Sequence, residues 1–491
     1  MLRRSIDYSL YLVTGRDLLP NGKDYLESLE ESLQGGVSLV QIREKTTDTG
    51  EFLKIAQQSK AICRKYNVPI LINDRLDIAL AIGADGVHLG QTDMPIAVAR
   101  SMLPPNSIIG MTCNTVEHVR KAVQDGADYV GVGPVWTTQT KKVTSPIVGV
   151  RGMGEMLKAL DGTNVKAVAI AGIKFTNVLH CLHGCVSTTG RSLDGVAVVS
   201  DIVASPDPRL AAQRLAAIVQ AFKSNPSHNF SLGPTASYTP ESVKASVGVL
   251  LPLIRHFSPL VHQITNNVVT NQSANATLAL GLNANINRKP IVFDPVGVGA
   301  TKYRQSSANY LLNTWQATVI KGNAAELGAL ANSLEVQAKG VDSVGKGFAD
   351  PASFVRNLAK KERCVVVLTG MTDWVSDGTT VVKLSNGHPL LGEITGSGCM
   401  VGSSIAIFCA AASVAEAAKR APDAPEDARL VRGDMFAAAI AGVLAVTIAS
   451  EFAAVRADVK GSGTFLPALI DELGGLTPDK MVSAARVEVI H

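Results

Sequence analysis

The sequence has little excess of either charge and no dense basic cluster. Its 46 lysines and arginines face 42 aspartates and glutamates, so the formal net charge is +4, and no run of five basic residues occurs. Proteins that bind nucleic acid usually carry a basic stripe or patch. We therefore expect no nucleic-acid partner, whereas small anionic ligands remain compatible with this charge.

Cysteine is also scarce, and its spacing matches neither a zinc site nor a disulfide framework. The seven cysteines include no pair of CxxC motifs, and the closest two, Cys181 and Cys185, are separated by three residues in CLHGC. We predict free thiols in a reducing compartment. The segment MLRRSIDYSLYLVTG meets Asp7 before any long apolar stretch, unlike a secretory signal. The expected location is cytoplasmic.

Long uncharged stretches are few. Residues 394–415 contain Gly, Ser and Thr, and residues 435–450 are shorter than a typical membrane span. Both are better explained as buried helices, so no membrane association is expected. With 491 residues, 46% hydrophobic and 18% charged, the chain is long enough for two or three packed domains.

The first 215 residues contain a regular alternation of short apolar runs and helix-like segments. The eight runs are YSLYLV, VSLVQI, PILIND, GVHLG, SIIGMT, YVGVGP, KAVAIAGI and GVAVVSDI. Continuous apolar strands are typical of a parallel sheet covered by helices. Eight βα units close a TIM (β/α)8 barrel, so we predict one here. An open doubly wound sheet is the alternative.

Polar residues follow these runs, where the strands of such a barrel end and its active site lies. In QIREK, Gln41, Arg43 and Lys45 alternate and would share one side of a strand. Asp74 and Asp93 add carboxylates, and cations with carboxylates suit a magnesium pyrophosphate. Taken singly, QIREK could be a solvated strand edge and the aspartates turn or cap residues. Further positions at these ends are Asn73, Thr112, Thr138, Thr140, Lys141, Lys142, Gly172, Val199 and Ser200.

Four motifs in order, QIREK, LINDRLDIALAIGADGVHLGQTD, DYVGVGPVWTTQTKK and DGVAVVSDI, resemble thiamine phosphate synthase over residues 8–215. The resemblance implies that hydroxymethylpyrimidine pyrophosphate is joined to hydroxyethylthiazole phosphate with release of pyrophosphate. It also implies three sets of site residues. The residues for the pyrimidine substrate are Gln41, Arg43, Lys45, Asn73 and Lys141, of which Arg43 and Lys141 are catalytic. The residues for Mg²⁺ are Asp74 and Asp93. The residues for the thiazole phosphate are Thr112, Thr138, Thr140, Gly172, Val199 and Ser200.

The reaction implied by this resemblance is dissociative. The bond to pyrophosphate breaks first, and the thiazole nitrogen captures the pyrimidine methyl cation. The attacking nitrogen carries no proton, so no general base is needed and we predict no histidine in the mouth. Thr112 in GMTCNT occupies a position where the family often has serine, and it keeps the hydroxyl.

A second domain is predicted after residues 222–240, a linker rich in Pro, Ser, Asn and Gly. The first domain is then 1–221 and the second 241–491, the latter beginning with a helix, a strand and a helix. In EITGSGCMVGSSIAIF a glycine-rich turn opens an apolar helix, whose N-terminus offers amides to an anion and would lower the pKa of the Cys399 thiol. Buried packing is the alternative for this cysteine.

The segments PIVFDPVGVGAT, TVIKGNAAEL, VVVLTGMTDWVSDG and EITGSGCMVGSSIAIF resemble hydroxyethylthiazole kinase, which has a ribokinase-like α/β fold. The domain order is similar to that of the fungal bifunctional thiamine biosynthesis proteins, which implies a homo-oligomer, by resemblance a hexamer. Lysine at position 321 replaces an arginine frequent in bacterial relatives and would weaken the nucleotide contact. The resemblance implies Asp294 and Glu326 for Mg²⁺, Lys321, Thr369 and Gly396 for ATP as co-substrate, Cys399 as catalytic residue, and Asn266, Asn267 and Asn271 for the thiazole.

The segment between LALG and PIVFDP is unusually short. Only LNANINRK connects them, about fifty residues fewer than in the family, so the N-terminal portion of the domain is predicted to be shortened. Three hypotheses follow: a bifunctional enzyme, a synthase with an inactive structural kinase domain, and a non-enzymatic phosphate-ligand sensor or scaffold. A sensor has no need of a magnesium pyrophosphate site, which favours the two enzymatic hypotheses.

Overall fold

The computed structural model describes residues 6–138, 140, 145–224, 238–259, 261, 289–314, 316–333, 335, 337–339, 342–344 and 347–490. These residues form two compact units, one around residues 6–224 and the other around residues 238–490. The predicted linker 222–240 shares its first three residues with the last helix of the first unit and its last residue with the first helix of the second.

The first unit is a closed barrel of eight parallel strands, which confirms the predicted fold and excludes the open sheet. Each strand pairs with its neighbour in sequence, and β8 pairs with β1. Every predicted apolar run contains one strand. The strands are β1 (Leu10–Val13), β2 (Leu39–Ile42), β3 (Ile70–Asn73), β4 (Gly86–Leu89), β5 (Ile108–Cys113), β6 (Tyr129–Val132), β7 (Lys166–Ala169) and β8 (Gly195–Val198).

Helices cover the barrel because each carries an apolar face spaced at helical period. In α2, for example, Phe52, Ile55 and Ile62 are buried. Polar side chains cap several helix starts, such as Asp24 before α1 and Thr115 before α5. The helices are α1 (Tyr25–Gln34), α2 (Thr49–Lys65), α3 (Leu76–Ile82), α4 (Ile96–Met102), α5 (Val116–Gln124), α6 (Gly149–Lys158), α7 (Val178–Gly184), α8 (Ser200–Val203) and α9 (Pro208–Ser224).

The amino ends of the strands carry a repeated polar contact. The residue that precedes each even-numbered strand accepts a hydrogen bond from a backbone N–H near the start of the strand before it. Such bonds satisfy donors that strand ends leave open, so this end of the barrel serves stability and the opposite end is free for a site. The four bonds run from Leu10 N to Ser38 Oγ (3.0 Å), from Ile70 N to Asp85 Oδ2 (2.9 Å), from Ile109 N to Asp128 Oδ2 (2.8 Å) and from Ala167 N to Asp194 Oδ2 (2.9 Å).

The second unit is built on a six-stranded mixed sheet. Its order is β16-β15-β14-β13-β10-β9, with β9, β10 and β13 parallel and the remaining neighbours antiparallel; β11 and β12 form a separate hairpin. The strands are β9 (Val292–Phe293), β10 (Val319–Asn323), β11 (Gln337–Lys339), β12 (Asp342–Val344), β13 (Val365–Thr369), β14 (Asp373–Ser376), β15 (Val381–Leu384) and β16 (Val487–Ile490).

Apolar helices pack around this sheet and form the largest core of the second unit. Of the helix, strand and helix predicted at its start, the first helix is present as α10, and the other two elements lie outside the described residues. The helices are α10 (Pro240–Phe257), α11 (Lys302–Thr314), α12 (Ala324–Ala331), α13 (Pro351–Glu362), α14 (Ser397–Ala418), α15 (Met435–Ala454), α16 (Ser462–Gly474) and α17 (Pro478–Ala484).

Two of these helices, α14 and α15, are long and apolar enough to cross a membrane by length and composition alone. Their most apolar windows are 72% and 89% buried inside the protein. A helix that is hydrophobic on all sides and enclosed by other elements is typical of the core of a large domain. Their burial favours the predicted role as core helices.

Candidate active sites

A cavity of about 220 Å³ lies at the carboxyl ends of the barrel strands. Nine of the residues predicted for substrate binding line it, and they come from separate strands or the loops that follow them. In a closed barrel these ends meet at one mouth, which brings together residues that are far apart in sequence. The nine are Gln41, Arg43, Asn73, Thr112, Thr138, Thr140, Gly172, Val199 and Ser200.

The QIREK segment turns alternate side chains toward this cavity. Gln41 and Arg43 line it, whereas Glu44 points elsewhere and accepts hydrogen bonds from the Arg16 guanidinium at 2.9 and 3.0 Å. Strand β2 already ends at Ile42, and the Arg43 N–H donates to Thr14 Oγ1 at 2.9 Å. This contact holds the segment beyond the strand, so the predicted alternation continues past the ladder to Arg43. Lys45, the third residue of the predicted set, does not line the cavity and pairs with Asp74 instead.

Lys45, Asp74 and Asp93 form a charged cluster. The Lys45 ammonium pairs with Asp74, and the two carboxyl groups are hydrogen-bonded to each other. Burial raises the pKa of Asp74, but the bonds from Asp93 and Lys45 outweigh it and hold this pKa below its usual value. Burial and the contact with Asp74 raise the pKa of Asp93. Two carboxyl groups this close share a proton unless a cation lies between them.

Asn73 and the turn after β7 are two further features of the barrel mouth. The Asn73 Nδ2 atom is buried and makes no hydrogen bond of good geometry within the protein, although the Asn73 side chain approaches Asp74. Such a donor is costly unless a ligand or water accepts from it. After β7, Ala171 and Gly172 both have positive φ angles, 72° and 74°. A Cβ at Gly172 would lie 2.8 Å from Thr137 O, so only glycine fits this turn.

A chain of buried hydrogen bonds crosses the barrel beneath the cavity. It runs from Gln41 through Tyr11, Tyr129 and His88 to Thr112, with distances between 2.6 and 2.8 Å. His88 is in β4 and lines the cavity. The prediction that the mouth holds no histidine is therefore wrong. In GVHLG, Gly86 and His88 occupy alternate positions, and this period of two could have placed His88 inside the barrel.

The second unit gathers a different polar cluster at the carboxyl ends of its parallel strands. Asp294 follows β9, Lys321 is in β10, and their side chains form an ion pair of 3.0 Å. Thr369 ends β13 and is in register with Asn323 of β10. The ion pair of Asp294 and Lys321 lies against α14, because a Cβ on Gly398 would be 3.1 Å from Lys321 Nζ.

Glu326 and Asp294 supply the carboxylates of this cluster. Glu326 accepts from the backbone N–H groups of Gly297 and Asn323, both at 2.9 Å, and burial raises its pKa. Asp294 Oδ1 is buried without a hydrogen-bond partner, whereas its Oδ2 pairs with Lys321. An uncompensated carboxylate oxygen beside a second carboxylate is a donor set that a hard cation such as Mg²⁺ accepts.

Cys399 lies in the first turn of α14, after Gly396, whose φ of 88° caps the helix. Burial and the neighbouring Asp294 raise the pKa of the Cys399 thiol, although Lys321 acts in the opposite direction. The prediction that the helix N-terminus lowers this pKa is wrong, because desolvation of a half-buried thiol and a nearby carboxylate outweigh the dipole.

Asp373 was not among the residues predicted from the sequence. It lies in TGMTD just after β13, is almost fully buried, and accepts a hydrogen bond from Gly370 N at 3.0 Å. Burial raises its pKa to about 7 despite the charge of Lys321. Asp373 is the first residue of β14 and directly follows the turn between the two strands, where an aspartate usually serves the turn, and only the packing reveals its burial.

Two family models match the chain: thiamine monophosphate synthase over residues 10–202, and the hydroxyethylthiazole kinase family over residues 251–285 and 282–421. The probable thiamine biosynthetic bifunctional enzyme of Schizosaccharomyces pombe is 36% identical, with 96% of this chain and 95% of the relative covered. The thiamine biosynthetic bifunctional enzyme of Saccharomyces cerevisiae is also 36% identical, with 96% of each chain covered. This chain belongs to the bifunctional thiamine biosynthetic enzymes.

Membership in this family accounts for both units of the thiamine biosynthetic chain. The barrel alone is 41% identical to the thiamine-phosphate synthase of Alkaliphilus oremlandii, over 44% of this chain and 98% of the relative. The chain thus combines a thiamine-phosphate synthase domain with a hydroxyethylthiazole kinase domain. The synthase match is continuous, whereas the kinase match is in two pieces that meet at residues 282–285.

The break in the kinase match agrees with the predicted shortening. The alignment with the fission yeast relative extends over 520 positions, although 96% of 491 residues is only about 471 residues. About fifty positions of that alignment therefore have no counterpart in this chain. The shortened segment itself lies outside the described residues.

The structure brings most of the predicted site residues together, and their roles stay predictions. Lys45, Asp74 and Asp93 form one cluster, and Asp294, Lys321, Glu326 and Cys399 form another. Among the described residues, no group of three or more His, Cys, Asp or Glu is placed to hold a metal ion. Four predicted residues, Lys141, Asn266, Asn267 and Asn271, lie outside the described residues. All seven cysteines are free, as expected.

Proposed function

We propose that this thiamine biosynthetic chain catalyses two consecutive reactions. The second unit transfers a phosphoryl group from ATP to hydroxyethylthiazole. The barrel then joins the resulting phosphate to hydroxymethylpyrimidine pyrophosphate, which yields thiamine phosphate and pyrophosphate. The observation that carries the proposal is the convergence of nine predicted residues on one cavity of the barrel.

In the barrel, the leaving diphosphate is the species that needs stabilisation. Arg43 lines the cavity, and Lys45, whose side chain is 46% exposed, can turn from Asp74 toward an incoming anion. Fixed cations aimed at developing negative charge usually contribute more to such catalysis than any other effect. Gln41 and Asn73 supply the amide groups that would orient the pyrimidine ring.

Asp74 and Asp93 would hold Mg²⁺ in the barrel. Two carboxylates suffice because Mg²⁺ usually keeps several waters and takes further oxygens from substrate phosphates. The shared proton of this pair is what an incoming cation would replace. When bound, the ion supplies positive charge that neutralises the diphosphate. In the second unit, Asp294 and Glu326 have the same proposed role.

In the kinase unit, the chain's own residues position the reacting groups. Lys321 is 5% exposed and is fixed by Asp294, so it offers an oriented charge to the nucleotide phosphates. The first turn of α14, after Gly396, presents backbone N–H groups to the transferred phosphoryl group. Cys399 would accept the proton of the substrate hydroxyl only as the thiolate, a form that Lys321 favours and that burial and Asp294 oppose.

A single assay tests both reactions. The purified full chain is given ATP, Mg²⁺, unphosphorylated hydroxyethylthiazole and hydroxymethylpyrimidine pyrophosphate, and thiamine phosphate is measured. Product is expected, because each unit contains its cluster of site residues. The matched reaction starts from hydroxyethylthiazole phosphate, which bypasses the kinase step. Absence of product from both starting points contradicts the proposal.

A synthase with a structural kinase unit is the second candidate. The two-piece family match and the missing fifty positions favour it. This second candidate predicts that thiamine phosphate forms only from the phosphorylated thiazole.

We further propose a cytoplasmic homo-oligomer with small-molecule substrates and no membrane or nucleic-acid partner. The small net charge supports the absence of a nucleic-acid partner, and the burial of α14 and α15 supports the absence of a membrane partner. The homo-oligomer rests on the resemblance to the family, and the cytoplasmic location rests on the free cysteines.

A further inference from the structure

Five side chains form one continuous hydrogen-bonded chain across the barrel interior. Gln41 Nε2 donates to Tyr11 Oη at 2.6 Å, and Tyr11 Oη is 2.7 Å from Tyr129 Oη. His88 Nδ1 is 2.7 Å from Tyr129 Oη, and His88 Nε2 is 2.8 Å from Thr112 Oγ1. Its two ends, Gln41 and Thr112, both line the substrate cavity. The chain therefore links the predicted pyrimidine side to the predicted thiazole side.

The barrel makes specific room for this chain. Tyr11 and Tyr129 are fully buried, although their strands are not neighbours, so the two phenols meet across the barrel interior. A Cβ at Gly110 would lie 2.4 Å from Tyr129 Oη, so this glycine leaves the space that the phenol occupies. Burial raises the pKa of both phenols far above their usual value, so both stay protonated.

The chain has a preferred direction. The Gln41 amide nitrogen can only donate, so Tyr11 accepts from it and its own proton is free for Tyr129. Tyr129 then donates to His88 Nδ1, and a neutral His88 with its proton on Nε2 donates to Thr112. In this head-to-tail order each phenol accepts one bond and donates one, and successive bonds polarise one another. Thr112 is left with its hydroxyl proton available to the cavity.

We propose that this chain is a directional relay that couples the two substrates of the barrel. The pyrimidine substrate, by holding the Gln41 amide in its present orientation, makes Thr112 a hydrogen-bond donor to the thiazole phosphate. If the amide is reversed, Tyr11 donates to it, Tyr129 donates to Tyr11, His88 donates from Nδ1 to Tyr129, and Thr112 must donate to His88 Nε2 instead. This reversal changes the tautomer of His88, so the chain gives up one proton at its Thr112 end and takes up one at its Tyr11 end, both exchanged with water in the cavity that these residues line. Tyr11, Tyr129 and His88 are thus positioning residues. The inference rests on the proposed synthase function.

The test measures binding of hydroxyethylthiazole phosphate by calorimetry, with and without saturating hydroxymethylpyrimidine monophosphate. The monophosphate fills the pyrimidine side but is a poor leaving group. In the wild type, we expect the monophosphate to tighten binding of hydroxyethylthiazole phosphate about 2- to 10-fold, which is the range that one hydrogen bond contributes. In Tyr129→Phe this coupling should fall to about 1-fold. Because coupling between two ligands is reciprocal, the affinity for the monophosphate in the presence of the thiazole phosphate should fall by the same factor.

Tyr25→Phe is the matched control, because Tyr25 donates or accepts one hydrogen bond with Ser59, at 2.9 Å, away from the cavity. It should keep the wild-type coupling. If Tyr129→Phe does not fold, Thr112→Val should lose the coupling and Thr112→Ser should restore it. Unchanged coupling in Tyr129→Phe or Thr112→Val overturns the relay. Absence of synthase turnover in the wild type would instead refute the proposed function.

Discussion

Both units place their polar clusters at the carboxyl ends of parallel strands, but they differ in how much of the fold surrounds the cluster. In the barrel, all eight strands close around one cavity. In the second unit, the described parallel strands number three, and the edge strand β9 has only two residues. The family match is also continuous over the first unit and divided in the second.

The two clusters also use their cations differently. Lys45 is 46% exposed and can exchange Asp74 for a substrate anion at little cost. Lys321 is 5% exposed, and burial holds its ion pair with Asp294 in place. The barrel therefore depends on charge brought to a solvated mouth, whereas the kinase cluster depends on packing. We expect mutations in the barrel mouth to affect turnover alone, and mutations in the second unit to affect stability as well.

The largest expected effect is on the barrel carboxylates. Asp93→Ala should lower synthase turnover about 100- to 1,000-fold, because it removes half of the proposed Mg²⁺ site and its electrostatic stabilisation. Lys45→Ala should have a comparable effect. Steady-state assays measure both, and circular dichroism checks the fold. Asp77→Ala removes an exposed carboxylate paired with Arg75 and should leave the rate unchanged. A near-normal rate in Asp93→Ala would refute the site.

A smaller effect is expected at Cys399. If the kinase unit is active, Cys399→Ser should lower formation of hydroxyethylthiazole phosphate about 10- to 100-fold, because it replaces the proposed proton acceptor. The synthase rate, assayed from the phosphorylated thiazole, should not change. Cys409→Ser alters a buried cysteine in the same helix and serves as the control. Equal kinase rates in the two variants would exclude a catalytic role for Cys399.

The polar contacts at the amino ends of the barrel strands should matter for stability alone. Asp128→Ala leaves the Ile109 N–H without its side-chain acceptor and removes the carboxylate that pairs with Arg100, which should cost about 1–3 kcal/mol of unfolding free energy. Heat inactivation of synthase activity measures the loss, while turnover at low temperature should be normal. Asp125→Ala, three residues earlier, removes only a surface ion pair with Lys121. Equal heat resistance in both variants would contradict this assignment.

The last expected effect is a pH dependence of stability in the second unit. The pKa of Asp373 is raised to about 7 in the folded protein, so the folded state binds its proton more tightly than the unfolded state. This contribution to stability is present below the unfolded pKa of about 4 and is lost as the pH rises toward 7. Thermal unfolding between pH 5 and 8 should therefore be less pH-dependent in Asp373→Asn, which keeps an acceptor for Gly370 N. If the unfolding temperature of Asp373→Asn changed with pH as steeply as that of the wild type, the result would argue against a buried carboxyl at position 373.

Many features of this protein follow from local patterns in the sequence. The eight apolar runs predicted the barrel, because continuous apolar strands that alternate with helices have few possible arrangements. The convergence of Gln41, Asn73 and Thr112 followed from the same argument, since parallel strands end at one edge. The glycine-rich turn at Gly396 predicted the start of α14, because a positive φ is easy only for glycine.

The tertiary structure alone decided the properties that depend on burial and on contacts across the fold. His88 and the relay through Tyr11 and Tyr129 arise because strands distant in sequence face each other inside a closed barrel. The raised pKa values of Cys399 and Asp373 arise because desolvation is set by surrounding packing, which no short motif encodes. The sequence determined that the polar residues at the strand ends meet at one edge, because parallel strands end together. Packing determined the contacts inside the barrel and the charge of the buried groups.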